Sequence, residues 1–218
     1  MSFCHGNRNK KKIAITFDDG PVEETLNVLS VLKKHDVKAT FFIVGKMIEG
    51  REYIISVAKE AGHEFGNHTF SHPTLLFKSK KFIENEITRC DKELSRVGIT
   101  TDLFRFPHLR HGFNALSVCK KLGKKIISID KISFNQGAYD WLSPWLVKNG
   151  WVKGPVKNEK VIKETIQKTR NGSILIFHDY LQGIGPHPEL VPILEEVIPA
   201  LKNRGFKFVT VSELLANS

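Results

Sequence analysis

The stretch "KIAITFDDGPVEETLNVLSVLKKH", residues 12–35, holds the unit from which the fold is read. "KIAITF" (12–17) is an apolar run of strand length, the pattern of a buried strand. "EETLNVLSVLKKH" (23–35) then sets Leu26, Leu29 and Leu32 on one stripe with Val28 and Val31 beside them, which is helical spacing. Between the two stand adjacent carboxylates, Asp18 and Asp19, where the strand should finish. Adjacent charges repel, so either this is an ordinary turn or something nearby needs both carboxylates.

The same strand–helix unit recurs along the chain. Further strands are expected at 38–44, 63–68, 103–106, 124–129, 173–179 and 206–211. Helices are expected at 52–61, 79–97, 114–122, 158–170 and 188–205. About seven such units argue for an α/β fold with a parallel sheet, and closure into a single-domain barrel is the natural solution at this length. The expected domain spans 12–218, preceded by a basic extension, 1–11, whose "RNKKK" run lies at a free end. One long irregular region, about 131–157, is rich in Gly, Trp, Asn and Pro; long loops of this kind tend to be functional.

Composition excludes several classes. The chain has 218 residues, a net charge of +10 and three cysteines, Cys4, Cys90 and Cys119, in no zinc-ligand spacing. The cysteines read as buried thiols, which suit a reducing compartment. The positive charge favours anionic partners, but most lysine pairs fall in or just after helices, and no nucleic-acid-binding module accompanies them. No window reaches the length of apolar residues that a membrane span needs, and the N-terminus lacks the apolar segment of a signal peptide. Nothing in the sequence speaks to oligomeric state.

In parallel α/β folds, reactive groups collect beyond the carboxyl ends of strands. Five polar features fall at or near strand ends: Asp18–Asp19, His68 and His72 in "HTFSH", Arg105 in "LFRFP", Asp130, and His178 after "SILIF". Four residues apart, His68 and His72 can face one side if the segment makes a helical turn. With Asp19 they make a two-histidine, one-carboxylate set for a divalent metal; zinc is the default for such N/O donors, with cobalt or nickel able to serve. Asp18 is then placed to accept the proton of an attacking water. Arg105 would hold Asp18 ionised, His178 would deliver a proton to a leaving amine, and Asp130 would orient His178.

The chain resembles the polysaccharide deacetylases of the NodB-homology type, carbohydrate esterase family four, from about Ile13 to Leu214. The motifs carrying the resemblance are "TFDDGP", "HTFSH", "RFPHLRHG" and "ILIFHD". It implies a distorted (β/α)7 TIM-like barrel, with Asp18 as base, Asp19, His68 and His72 as metal ligands, and His178 as acid. It further implies Arg105 and Pro107 as motif residues, the His108 backbone N–H as an oxyanion donor, and Leu175 as the wall of an acetyl pocket. The fourth family motif fits Asp130-Lys-Ile-Ser133-Phe134 loosely, with Asp140 of "YDW" as a competing alignment. Trp141, with Tyr139, Trp145 and Trp151, could stack on sugar rings or form the loop's own small core. His63 and His187 read as structural.

The activity implied is metal-dependent removal of N-acetyl groups from an acetylated glycan, chitin-like or peptidoglycan. Competing readings are an O-acetyl esterase or small-amide amidohydrolase on the same site, and a catalytically silent glycan-binding barrel. The resemblance implies work outside the membrane, whereas the absent leader segment and odd cysteine count point inside.

Overall fold

The computed structural model describes residues 2–130, 158–181, 185–186 and 189–216. Its strands are β1 (Ser2–Phe3), β2 (Lys12–Asp18), β3 (Thr40–Ile43), β4 (Glu64–Asn67), β5 (Leu103–Phe104), β6 (Lys125–Ile127), β7 (Ile174–His178), β8 (Tyr180–Leu181), β9 (Gly185–Pro186) and β10 (Lys207–Phe208). The helices are α1 (Glu23–Lys34), α2 (Glu52–Glu60), α3 (Lys80–Arg96), α4 (Phe113–Lys121), α5 (Asn158–Lys168), α6 (Leu190–Asn203) and α7 (Val211–Leu215).

Eight strands form one sheet in the order β1-β6-β5-β4-β3-β2-β10, with β7 also on β2, and every pair is parallel. An antiparallel bridge between His5 and Ser173, and a 2.8 Å hydrogen bond from Gly6 N–H to the Gly172 carbonyl, tie the β1 edge to the start of β7. The sheet thus curls into the expected barrel. β8 and β9 form a separate antiparallel hairpin.

Alternation along the strands sorts side chains into two layers. In β2 and β7, Ile13, Ile15, Phe17, Leu175 and Phe177 point outward into the main core, where Val28, Leu32, Leu194, Ile198 and others of α1 and α6 cover them. Ala14 and Ile174 point inward, and with Phe42, Leu103 and Ile127 they meet Val211 and Leu214 of α7. This inner cluster is the apolar floor of the barrel. Gly66 makes it possible, because a Cβ there would stand 2.4 Å from the Phe42 ring.

Two expectations change here. The first residues do not lie at a free end: β1 pairs with β6 (Phe3 with Ile127), and Arg8 reaches Asp130 at 2.8 Å. The strand expected over 206–211 stops at Phe208, because Thr210 caps α7. Its Oγ1 accepts the Glu213 N–H at 3.3 Å, and Glu213 Oε2 accepts the Thr210 N–H at 3.0 Å.

Candidate metal and catalytic site

The site sits above the apolar floor, at the carboxyl ends of β2, β4 and β7. Arg105, just past β5, is fully buried and organises the layer between. Its Nη1 donates to Thr16 Oγ1 and to Asp18 Oδ1, each at 2.7 Å. Nε donates to the Ile127 carbonyl at 3.2 Å, and the guanidinium lies 4.0 Å from the Phe42 ring centroid. Burial lowers the guanidinium's proton affinity, while the Asp18 carboxylate opposes that shift. Asp18 Oδ1 is thereby committed to the arginine. Asp18 Oδ2 faces the other way, 3.7 Å from His68 Nε2.

Asp19, one residue on, has φ +79°, which turns its carboxylate away from the strand direction. Its Oδ1 lies 3.5 Å from His68 Nε2 and 3.1 Å from His72 Nε2. Ligand atoms of Asp19, His68 and His72 all fall within 4.8 Å of one another. His68 Nδ1 donates to the Arg105 carbonyl at 2.9 Å, which fixes its tautomer and leaves the Nε2 lone pair facing Asp19. Burial is the main reason both histidines resist protonation; His68 is pushed well below the usual range and His72 to about 2. Two neutral imidazoles and one carboxylate fit a borderline divalent ion such as zinc, cobalt or nickel.

His68 and His72 do not converge through a helical turn. Thr69 and His72 both have positive φ, 71° and 59°, so the segment doubles back irregularly. Side chains hold that shape: Asn67 Oδ1 accepts the Thr69 N–H at 2.8 Å, Thr69 Oγ1 accepts the His72 N–H at 3.1 Å, and buried Glu86 of α3 binds the N–H and hydroxyl of Ser71 at 2.8 and 3.0 Å.

His178 ends β7 and pairs in register with Asp18. Adjacent strands lie about 4.8 Å apart, so acid and base candidates stand side by side. His178 lies within electrostatic range of His68, His72 and His108, which places it over the same cluster. Pro107 opens a 3-10 turn, Pro107–Leu109, in which His108 takes φ +56°. The His108 ring meets the His72 ring edge-on, with centroids 4.7 Å apart.

Two assigned roles are corrected. Leu175 cannot wall an acetyl pocket, because it points outward into the helix-covered core, on the opposite face of β7 from His178. Ile176, buried and two residues before His178, shares the histidine's face. Asp130 does not orient His178. Its Oδ2 takes Arg8 Nη2 at 2.8 Å and Ser173 Oγ at 3.0 Å, and Ser173 precedes His178 by about 16 Å of strand. Asp140 and Trp141, with Tyr139, Trp145, Trp151 and His187, lie outside the described residues. His63 is structural: its Nδ1 accepts the Ala39 N–H at 3.1 Å, and burial, with Lys38 adding, lowers its proton affinity to a pKa of about 4.

One residue escaped the sequence reading. Asp179 is fully buried beside the turn that carries Asp18 and Asp19. Thr25 Oγ1 donates to its Oδ2 at 2.5 Å and accepts the Val22 N–H at 2.9 Å. A Cβ on Gly20 would come within 2.6 Å of the same oxygen. Burial raises the Asp179 carboxyl to about 7. The "HD" dipeptide was visible, but nothing in it says that Asp179 folds back onto Gly20.

Comparison with known proteins agrees with this geometry. A family model described as polysaccharide deacetylase matches residues 5–127. A peptidoglycan-N-acetylglucosamine deacetylase of Bacillus cereus is 31% identical over 95% of this chain and 89% of its own length. A crystal structure of a peptidoglycan N-acetylglucosamine deacetylase, in complex with 4-naphthalen-1-yl-N-oxidanyl-benzamide, superposes with a TM-score of 0.84 at 29% identity, covering 100% of this chain and 94% of that one. A family 4 acetyl xylan esterase from Clostridium thermocellum, in complex with a cobalt ion, gives 0.77 at 30% identity over 93% and 89% of the two chains.

Proposed function

This chain belongs to the polysaccharide deacetylase family, and from that premise we propose that it hydrolyses N-acetyl groups on an N-acetylglucosamine-containing glycan, peptidoglycan or chitin-like. The observation that carries the reading is the division of labour at Asp18. One oxygen is held by Arg105 at 2.7 Å, while the other faces the Asp19, His68 and His72 cluster, with His178 in register beside it.

Asp19, His68 and His72 would hold the metal, most simply zinc, with cobalt or nickel as substitutes. A bound divalent ion supplies Lewis-acid polarisation of the acetamide carbonyl and makes water more acidic. Asp18 Oδ2 accepts the proton of the attacking water, while Arg105 holds Oδ1 and so fixes the carboxylate's orientation. His178 carries a proton to the departing amine, and the His108 backbone N–H supports the oxyanion. Ile176, in place of Leu175, packs against the acetyl methyl group.

Acetate release from peptidoglycan, N-acetylglucosamine oligomers and acetylated xylan tests this directly, with metal-stripped protein alongside. Release from one of the first two substrates, lost on stripping and restored by zinc, cobalt or nickel, is expected. Release from acetylated xylan alone would favour the second reading, an O-acetyl esterase, for which the likeness to the acetyl xylan esterase speaks. Absence of release from all three would contradict both.

A further inference from the structure

Two phenylalanines on neighbouring segments, Phe77 in the turn before α3 and Phe113 at the first residue of α4, stand almost wholly in water: Phe77 is 94% exposed and Phe113 93%. Neither ring contributes to the core. Phe77 also has φ +61°, a conformation that disfavours bulky L-residues and that glycine or asparagine would fill with less strain. Residues with no folding role in strained backbone are commonly kept for binding.

Their position says what they bind. Phe77 lies five residues beyond His72, and Phe113 five beyond His108, whose rings touch each other. The turn before α3 and the start of α4 are fastened together: Asn114 Nδ2 donates to the Lys78 carbonyl at 3.0 Å, and Leu75 packs in the same cluster as Ala115. Both rings therefore stand on segments that follow β4 and β5, on the side of the barrel that carries His72 and His108. Pyranose rings present flat C–H faces, and a solvent-exposed aromatic face beside a glycan-cleaving centre is suited to stack on them.

We propose that Phe77 and Phe113 form a sugar-stacking subsite that grips glycan units next to the one being deacetylated, so that longer chains are preferred. This rests on the deacetylase reading above. The test is kcat/KM on N-acetylglucosamine oligomers from dimer to hexamer, for wild type, Phe77→Ala, Phe113→Ala, the double variant and Phe77→Trp. p-Nitrophenyl acetate serves as a small substrate that reaches only the reaction centre.

The double variant should lose roughly tenfold or more on the hexamer, mostly through KM. The dimer should lose less, the small ester should be unchanged, and Phe77→Trp should retain the wild-type profile. Melting temperatures should stay level, since neither ring is buried. Equal loss on dimer and hexamer, or no loss, would overturn the subsite while leaving the deacetylase intact. Weakened binding of the double variant to phosphatidylglycerol vesicles, with oligomer kinetics unchanged, would assign the rings to a lipid surface and overturn it as well. No turnover of any oligomer by a wild type that still releases acetate from peptidoglycan would overturn the subsite alone; no release from either would overturn the deacetylase reading and the subsite with it.

Discussion

Two aspartate–arginine pairs close this barrel, and they do different jobs. Asp18–Arg105 spans 2.7 Å with both side chains essentially out of solvent. Asp130–Arg8 spans 2.8 Å with the aspartate equally buried, but the Arg8 side chain is 34% exposed. The first pair faces the Asp19, His68 and His72 cluster. The second pins the N-terminal segment, beside the bridge that joins β1 to β7. Asp18 ends β2 and Asp130 comes three residues after β6, so position near a strand end does not separate the two. The partner does: Arg105 comes from the barrel interior, Arg8 from a segment wrapped around its seam.

The contrast can be broken most forcefully at Arg105. Replacing it with methionine leaves Asp18 buried without its cation, a change that typically costs about 3–5 kcal/mol. For a chain of this size that corresponds to a fall in Tm on the order of 10 °C. Activity should be lost too, because nothing then directs Asp18 Oδ2 toward the metal ligands. Thermal melts and acetate release check both, and retained activity would show that Arg105 does not set the base.

A smaller effect, and one with a pH signature, is expected at Asp179. Its folded carboxyl titrates near 7, well above the unfolded value of 3.8. The folded state therefore holds the extra proton between those values, and stability falls as pH rises from about 4 through 7. Asp179→Asn cannot ionise, so its Tm should gain on the wild type steadily across that window. Parallel Tm–pH curves would mean that Asp179 is not held protonated.

The smallest change belongs to the seam. Arg8→Gln removes a half-exposed pair member, for which about 1 kcal/mol or less is expected, so Tm should drop by roughly 2–4 °C. The kcat should stay within about twofold of wild type, since among the described residues Arg8's side chain bonds only Asp130 and the Asn171 carbonyl. A large loss of activity would mean that the seam positions the site after all.

Much of this was legible in the sequence, and the failures have physical reasons. Asp18, Asp19, His68, Arg105 and His178 sit at or just past strand ends, and strand ends follow from apolar runs, whereas His72 lies five residues beyond β4. Leu175 failed on phase: counting back by two from His178 gives Ile176, a consequence of strand alternation that needed no structure. Asp130 failed because its partner lies in β1's neighbourhood, and "SF" carries no periodicity to announce a two-residue strand. The "HTFSH" geometry depends on Asn67 and Glu86, which are remote from the motif in function though near it in space. Thr210-x-x-Glu213 was a readable capping box that would have ended the last strand correctly.

The most direct measurement compares Asp18→Asn with Asp130→Asn, both metal-loaded, for acetate release from peptidoglycan and for zinc content. Asp18→Asn should bind metal, stay folded and lose activity by about 10²–10⁴-fold. Asp130→Asn should retain kcat and lose only stability. An active Asp18→Asn, or an inactive Asp130→Asn that still melts like the wild type, would contradict the assignment of the two pairs.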